Sequence, residues 1–210
     1  MKVIAFNGSP RKEGNTFLAI QFVAKKLEEQ GIEVEIVHVG NKNISGCLAC
    51  GKCREHKDEK CVIQDEVNDW IKKMKSADGI ILGSPTHFSG ISGNMKSFLD
   101  RAFYVSSGNG NLFRNKIGAA VVAVRRSGGV VVFNQLNNYL SYSEMVLPTS
   151  NYWNVIHGRA PGEALEDKEG VQIMEILGKN MATLLKQLEV TKDIRDKNLA
   201  ENKVFTNFIR

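Results

Sequence analysis

Lys2-Val3-Ile4-Ala5-Phe6-Asn7-Gly8-Ser9-Pro10-Arg11-Lys12-Glu13-Gly14-Asn15-Thr16 opens the chain as a short apolar run broken by a loop of small and polar residues. Residues 2–6 have the length and composition of a buried strand, and Asn7-Gly8-Ser9-Pro10 bounds them. From about Asn15 to Gln30 the apolar spacing becomes helical. Phe17, Ile20, Phe22, Val23 and Leu27 supply the face, and Gly31 is the stop. A strand passing into a helix through such a loop is the first half of a βαβ unit, and the rest of the chain continues it.

The next strand reads as Val34 to Val39, followed by a cysteine-bearing segment. Asp65 is placed to cap a helix whose face is Val67, Trp70, Ile71 and Met74. Gly79–Ser84 is a third strand, and a helix from about Ser92 to Tyr104 follows it. Ile117–Val124 is a fourth strand, nearly all apolar, as expected where both faces of a parallel sheet are covered. A helix runs from Gly128-Gly129 through Tyr139, a fifth strand lies near Tyr152–Ile156, and a long helix spans about Glu166 to Leu188. Strict strand–helix alternation predicts an α/β three-layer sandwich: a five-stranded parallel sheet with right-handed crossovers and helices on both faces. Residues 1–190 form one expected domain, with the cysteine loop inserted at 44–64. The tail, 191–210, turns apolar at Val204-Phe205 and Phe208-Ile209, which points to docking on a partner subunit.

Open α/β sheets bind ligands outside the carboxyl ends of their strands. The loop after the first strand offers free helix amides, the positive end of a helix dipole, and Ser9, Arg11, Asn15 and Thr16, a combination suited to a phosphate. It is not a Walker loop, because Gly8 and Gly14 are one residue too far apart and no lysine follows Gly14. It also lacks the three spaced glycines of a dinucleotide fingerprint. After the third strand, Pro85, Thr86, His87 and Phe88 supply flat apolar contact and backbone donors for a planar ring. Ser127, Gly128 and Gly129 allow close backbone approach from a third loop, where Arg125 and Arg126 are either solvated or placed for the phosphates of a nicotinamide.

All four cysteines fall in one short segment as Cys47, Cys50, Cys53 and Cys61, spaced C-x2-C-x2-C-x7-C. Their crowding speaks against a structural disulfide framework. The spacing is compatible with four-thiolate ligation of a 4Fe–4S cluster, with structural zinc, or with a redox-active dithiol or disulfide; Lys52 and Arg54 are the expected cations beside it.

The net charge is +5, with no dense basic stretch interleaved with aromatics, so no nucleic-acid partner is expected. No run of ~20 apolar residues and no export signal is legible, so the expectation is a cytoplasmic protein with no membrane partner.

Gly8-Ser9-Pro10-Arg11 followed by Gly14-Asn15-Thr16, together with Ser84-Pro85 and the segment Asn94-Met95-Lys96 to Leu99-Asp100-Arg101, resembles the NADPH-dependent FMN reductases of the flavodoxin-like superfamily. The compact cysteine motif and the ending Thr206-Asn207-Phe208-Ile209-Arg210 resemble that family's iron–sulfur flavoproteins. The resemblance implies an FMN-dependent oxidoreductase that takes electrons from NAD(P)H. They would pass to a small-molecule or redox-protein acceptor, with Cys47, Cys50, Cys53 and Cys61 holding a 4Fe–4S cluster. It also implies FMN on the three loops and a homodimer or homotetramer. The rival expectation is a flavodoxin-type carrier without turnover. No side chain is singled out as a catalytic acid or base.

Overall fold

The computed structural model describes residues 1–191 together with Val204 and Thr206. The strands are β1 (Lys2–Asn7), β2 (Glu33–His38), β3 (Gly79–His87), β4 (Gly90–Ile91), β5 (Ile117–Val124) and β6 (Val155–His157). The helices are α1 (Asn15–Glu28), α2 (Lys52–His56), α3 (Glu66–Ser76), α4 (Gly93–Gly108), α5 (Gly129–Tyr142) and α6 (Lys168–Val190), with a 3-10 turn at Glu163–Leu165. Five strands pair in parallel in the order β2-β1-β3-β5-β6. The chain therefore reverses its direction of winding after β2, and a crevice opens between the loops leaving β1 and β3.

Alternation along β1 explains the layering. Val3 and Ala5 join the core beneath α1 and α6, whereas Ile4 and Phe6 join the core beneath α3, α4 and α5. Every residue of β5 is buried, as its unbroken apolar run requires. Phe6, Trp70 and Phe98 form the centre of the second core, with Phe6 and Phe98 rings 4.7 Å apart and Trp70 edge-on to Phe98 at 5.2 Å. Each such buried ring contributes roughly 1.5–3 kcal/mol through removal from water.

The structure departs from the sequence reading in four places. β3 does not stop at Ser84 but runs on to His87, and Thr86 and His87 pair antiparallel with β4, a two-residue addition to the parallel sheet. The turn joining them places Phe88 and Ser89 at φ 49° and 58°, a left-handed conformation that side chains other than glycine seldom take. The last strand is later and shorter than expected, because Tyr152 and Trp153 lie exposed before it and pack against each other, ring planes tilted by 58°, instead. Finally, a short helix, α2, lies inside the cysteine segment. The tail expected to dock on a partner lies outside the described residues apart from Val204 and Thr206.

Asp167 caps α6, accepting from the amides of Gly170 at 3.0 Å and His157 at 2.7 Å. Burial alone would raise its pKa, but these bonds and the His157 ring outweigh it and hold the carboxyl below its ordinary value. With the folded pKa depressed, the stabilisation is complete above the unfolded-state pKa and is lost as pH falls through the folded one. Asp167→Ala is expected to cost about 1–2 kcal/mol in urea unfolding at about pH 7, with the gap to the parent chain closing below about pH 4. An unchanged gap at acid pH would show that the ionised cap contributes nothing.

Candidate cofactor site and cysteine centre

The first loop is built on its own backbone. The Gly8 amide donates to the Gly83 carbonyl of β3 at 2.8 Å, and the carbonyl of Asn7 accepts the amides of Val39 and Gly40. The Asn7 side chain takes the Ser9 amide and donates to the Lys12 carbonyl, which shapes the turn. Ser92 closes it from the other side, its hydroxyl donating to the Gly8 carbonyl at 2.6 Å and its amide donating to Ser84 Oγ. His38 Nε2 lies 2.7 Å from the Ser9 carbonyl. Gly40 passes so close that a Cβ there would lie 2.0 Å from the Ser9 carbonyl oxygen.

The result is an uncapped head on α1. Gly14, its N-cap, supplies no side chain, and among the described residues the amides of Asn15, Thr16 and Phe17 have no intrachain acceptor. Thr16 is buried in that first turn, Ser9 is buried with its hydroxyl accepting the Arg11 amide, and Arg11 is exposed with one guanidinium nitrogen 3.4 Å from the Arg159 carbonyl. Asn15 has a different position from the one its spacing suggested. Its amide donates to the Ala160 carbonyl at 2.9 Å, and its oxygen accepts the amides of Gly162 and Ala164. It ties a fourth loop, 158–164, to the first, a contact between positions 149 apart that no local pattern encodes.

The second loop lies beside the third. Pro85 and Thr86 are half-buried, His87 and Phe88 are exposed, and Phe88 stands fully clear of the surface. Thr86 Oγ1 is buried without a hydrogen-bond partner, an orphaned group that a ligand atom in the crevice would satisfy. Gly128, the N-cap of α5 at φ 86°, sits against Ser89: a Cβ at Gly128 would lie 2.5 Å from its hydroxyl. Ser127 is exposed and Gly129 buried behind it. Arg126, Gly128 and Gly129 also form one wall of a cleft of about 300 Å³ whose other walls include Trp153 and His157. The side chains expected to meet a flat ring thus converge with the phosphate cradle on one end of the sheet. The free amides, the orphaned hydroxyl and the backbone approach fit an FMN-type ligand.

The four cysteines are free thiols. They line one small cavity, together with Leu48, Val62 and Arg101. Among the described residues no three His, Cys, Asp or Glu are drawn tightly enough to hold a single metal ion. Four thiols lining one cavity are a donor set that either a 4Fe–4S cluster or a zinc ion uses. Two N–H···S contacts already aim at it, from Ala49 to Cys47 Sγ and from Arg101 Nε to Cys61 Sγ, both at 3.4 Å. Burial, then the neighbouring thiols of Cys61 and Cys47, pushes the Cys53 pKa up. The cations expected from sequence are engaged elsewhere: Lys52 pairs with Glu55, and Arg54 lies 4.5 Å over the Tyr104 ring. The cation that touches a sulfur is Arg101.

A parallel sheet in the order β2-β1-β3-β5-β6, with a phosphate-type cradle at its switch point, defines a flavodoxin-like protein. The chain belongs to the NADPH-dependent FMN reductase family, whose profile matches residues 1–160. Within that family it is similar to an iron–sulfur flavoprotein of Methanocaldococcus jannaschii, at 38% identity over 90% of this chain and the whole of that one. It is also 31% identical to an iron–sulfur flavoprotein of Archaeoglobus fulgidus over 93% of this chain and all of that one. Among solved structures, a flavodoxin from the domain Archaea shares the fold with TM-score 0.60 at 18% identity, covering 89% of this chain and 99% of that one. No helix among the described residues is long and apolar enough to cross a membrane.

Gly40→Ala brings a methyl into the Ser9 carbonyl and against the Gly8 carbonyl oxygen, backbone that cannot swing aside as a side chain can. The expected cost is about 3 kcal/mol or more in chemical unfolding. A variant of unchanged stability would mean that the two loops are not packed as described.

Proposed function

We propose that this chain binds FMN in the crevice between β1 and β3, oxidises NAD(P)H and delivers the electrons to a small-molecule or protein acceptor. The single observation that carries the reading is the uncapped head of α1, whose first three amides have no acceptor among the described residues, at the same end of the sheet as the unpartnered Thr86 hydroxyl. FMN, when bound, supplies the chemistry, two-electron acceptance from a nicotinamide and release of electrons singly or in pairs.

The residues have separate tasks in this reading. The amides of Asn15, Thr16 and Phe17, with the Ser9 and Thr16 hydroxyls, bind the phosphate, and Arg11 adds charge from the exposed side. Asn15 acts through the backbone of 158–164, holding that loop over the same end of the sheet. Pro85 and Thr86 bear on the ring, where the Thr86 hydroxyl gains the partner it lacks. His87 and Phe88 would flank the same site from the second loop, and Ser127, Gly128 and Gly129 from the third. The cleft lined by Arg126 and Trp153 would take a nicotinamide donor, Arg126 supplying charge for its phosphates and Trp153 a flat apolar contact. Cys47, Cys50, Cys53 and Cys61 hold a 4Fe–4S cluster, which would store and release one electron at a time. Assembly as a homodimer or homotetramer and a cytoplasmic location complete the proposal, by analogy with the family.

An absorption spectrum of anaerobically purified protein, with flavin, iron and sulfide quantitation and a steady-state NAD(P)H assay, tests it. Stoichiometric flavin, iron and sulfide close to four per chain, and sustained NAD(P)H oxidation are expected. Bound flavin with no turnover would replace the enzyme with an electron carrier, and one zinc without flavin would end the redox reading. Arg11→Ala and Thr16→Ala are each expected to weaken FMN binding roughly tenfold or more, about 1.4 kcal/mol, by titration of the flavin-free protein. Unchanged affinity in both would remove the first loop from the site.

A further inference from the structure

Arg101 is among the largest side chains wholly buried in the described chain, and it sits on α4 directly beneath the cysteine segment. A guanidinium has five N–H donors in a planar fork. All five have acceptors here. Nε donates to Cys61 Sγ at 3.4 Å; one terminal nitrogen donates to Asp65 Oδ2 at 2.6 Å and the Ser45 carbonyl at 3.4 Å; the other donates to Asp65 Oδ1 at 2.7 Å and the Ile63 carbonyl at 3.2 Å. Ser45 stands at the start of the cysteine loop, two residues before Cys47; Cys61 and Ile63 close it, and Asp65 caps α3 through the Val67 amide. One buried cation therefore holds both ends of the cysteine segment and the start of the next helix.

We propose that Arg101 is the positioning residue of the cysteine centre: its fork fixes the loop ends so that the four sulfurs face one cavity, and its Nε–H and charge favour the more negative, electron-rich state of whatever redox group those sulfurs hold. This deepens the cluster reading above and rests on it for the electronic part; the loop clamp stands without it. The geometry gives two separable tasks. Fixing the loop needs the whole fork, because a lysine offers a compact ammonium that cannot reach four segments in one plane. Favouring added negative charge needs only a cation or N–H dipole near Cys61. Asp65 offsets much of the guanidinium charge, which makes burial tolerable.

The test uses the full FMN-loaded chain, purified anaerobically, as the parent protein, as Arg101→Lys, and as the double variant Arg101→Met with Asp65→Asn, which leaves no donor or charge at position 101. The double variant removes both charges, so neither is left buried alone. Flavin content serves as the check on folding. In both variants, amide exchange over residues 45–49 and 61–65 is expected to accelerate roughly tenfold or more while the sheet keeps its protection. The cluster midpoint potential is expected near the parent value in Arg101→Lys and shifted to more negative values in the double variant. Parent-like exchange in both variants would overturn the clamp, and a parent-like potential in the double variant would overturn the electronic role. A parent protein free of iron would defeat the cluster reading alone, and the exchange measurement would still decide the clamp. If the double variant binds no flavin, Arg101→Lys carries the exchange measurement, and the potential is read in Asp65→Asn, where the uncompensated guanidinium charge is expected to shift it to more positive values; a parent-like potential there overturns the electronic role.

Discussion

The cradle depends on backbone touching backbone at the carboxyl end of β1. Gly8 hydrogen-bonds across to Gly83, and Asn7 collects the chain leaving β2, where Gly40 has no room for a side chain against Ser9. These contacts bring three loops together without interposed side chains. The polar groups left over at that junction are the first amides of α1, and a helix head with no side-chain cap leaves them without an acceptor among the described residues. The two hydrophobic cores hold the sheet, but this main-chain seam gives the sheet a place to receive an anion.

The cysteine segment is supported in a different way. It contributes little to either core; of its four cysteines only Cys53 is buried. A loop of this length with exposed sulfurs needs an internal anchor if its shape is to persist without metal. The structure supplies polar anchors from below: Arg101, and the Asn68 side chain, which accepts the Cys61 amide at 2.8 Å and donates to the Cys61 and Ile63 carbonyls. Both act on the distal end of the segment, where the sequence leaves the long gap before Cys61. Anchoring that end compensates for its distance from the other three cysteines.

Much of this was legible in the chain itself, for physical reasons. The continuous apolar run of β5, the helical spacing of α1 and α6, and the aspartate before α3 each reflect a local rule, and the elements lie where those rules put them. The extension of β3 was hidden because Pro85 lacks an amide donor and usually argues against strand, although it pairs with Ala123 of β5. The hairpin to β4 was hidden because its turn uses Phe88 and Ser89 where glycine or asparagine would be expected. Tyr152 and Trp153 drew the last strand too early because composition does not distinguish an exposed aromatic pair from a buried one. The work of Asn15 and Arg101 could not be read at all. Their partners lie far off in sequence, and proximity in the chain favoured Lys52 and Arg54 over the cation that reaches the sulfur.

The tip of the β3–β4 hairpin has a thermodynamic corollary. Phe88 projects its whole ring into water from a backbone held left-handed at two successive residues, and Gln135 bonds to both sides of the turn, through Ser89 and Ile91. The chain has already surrendered the local freedom of that segment in folding, and it accepts an unfavourable conformation and a hydrated aromatic face in doing so. A body that comes to rest on the ring meets a surface whose ordering entropy has been spent in advance, so more of the released hydration free energy is left to express as affinity.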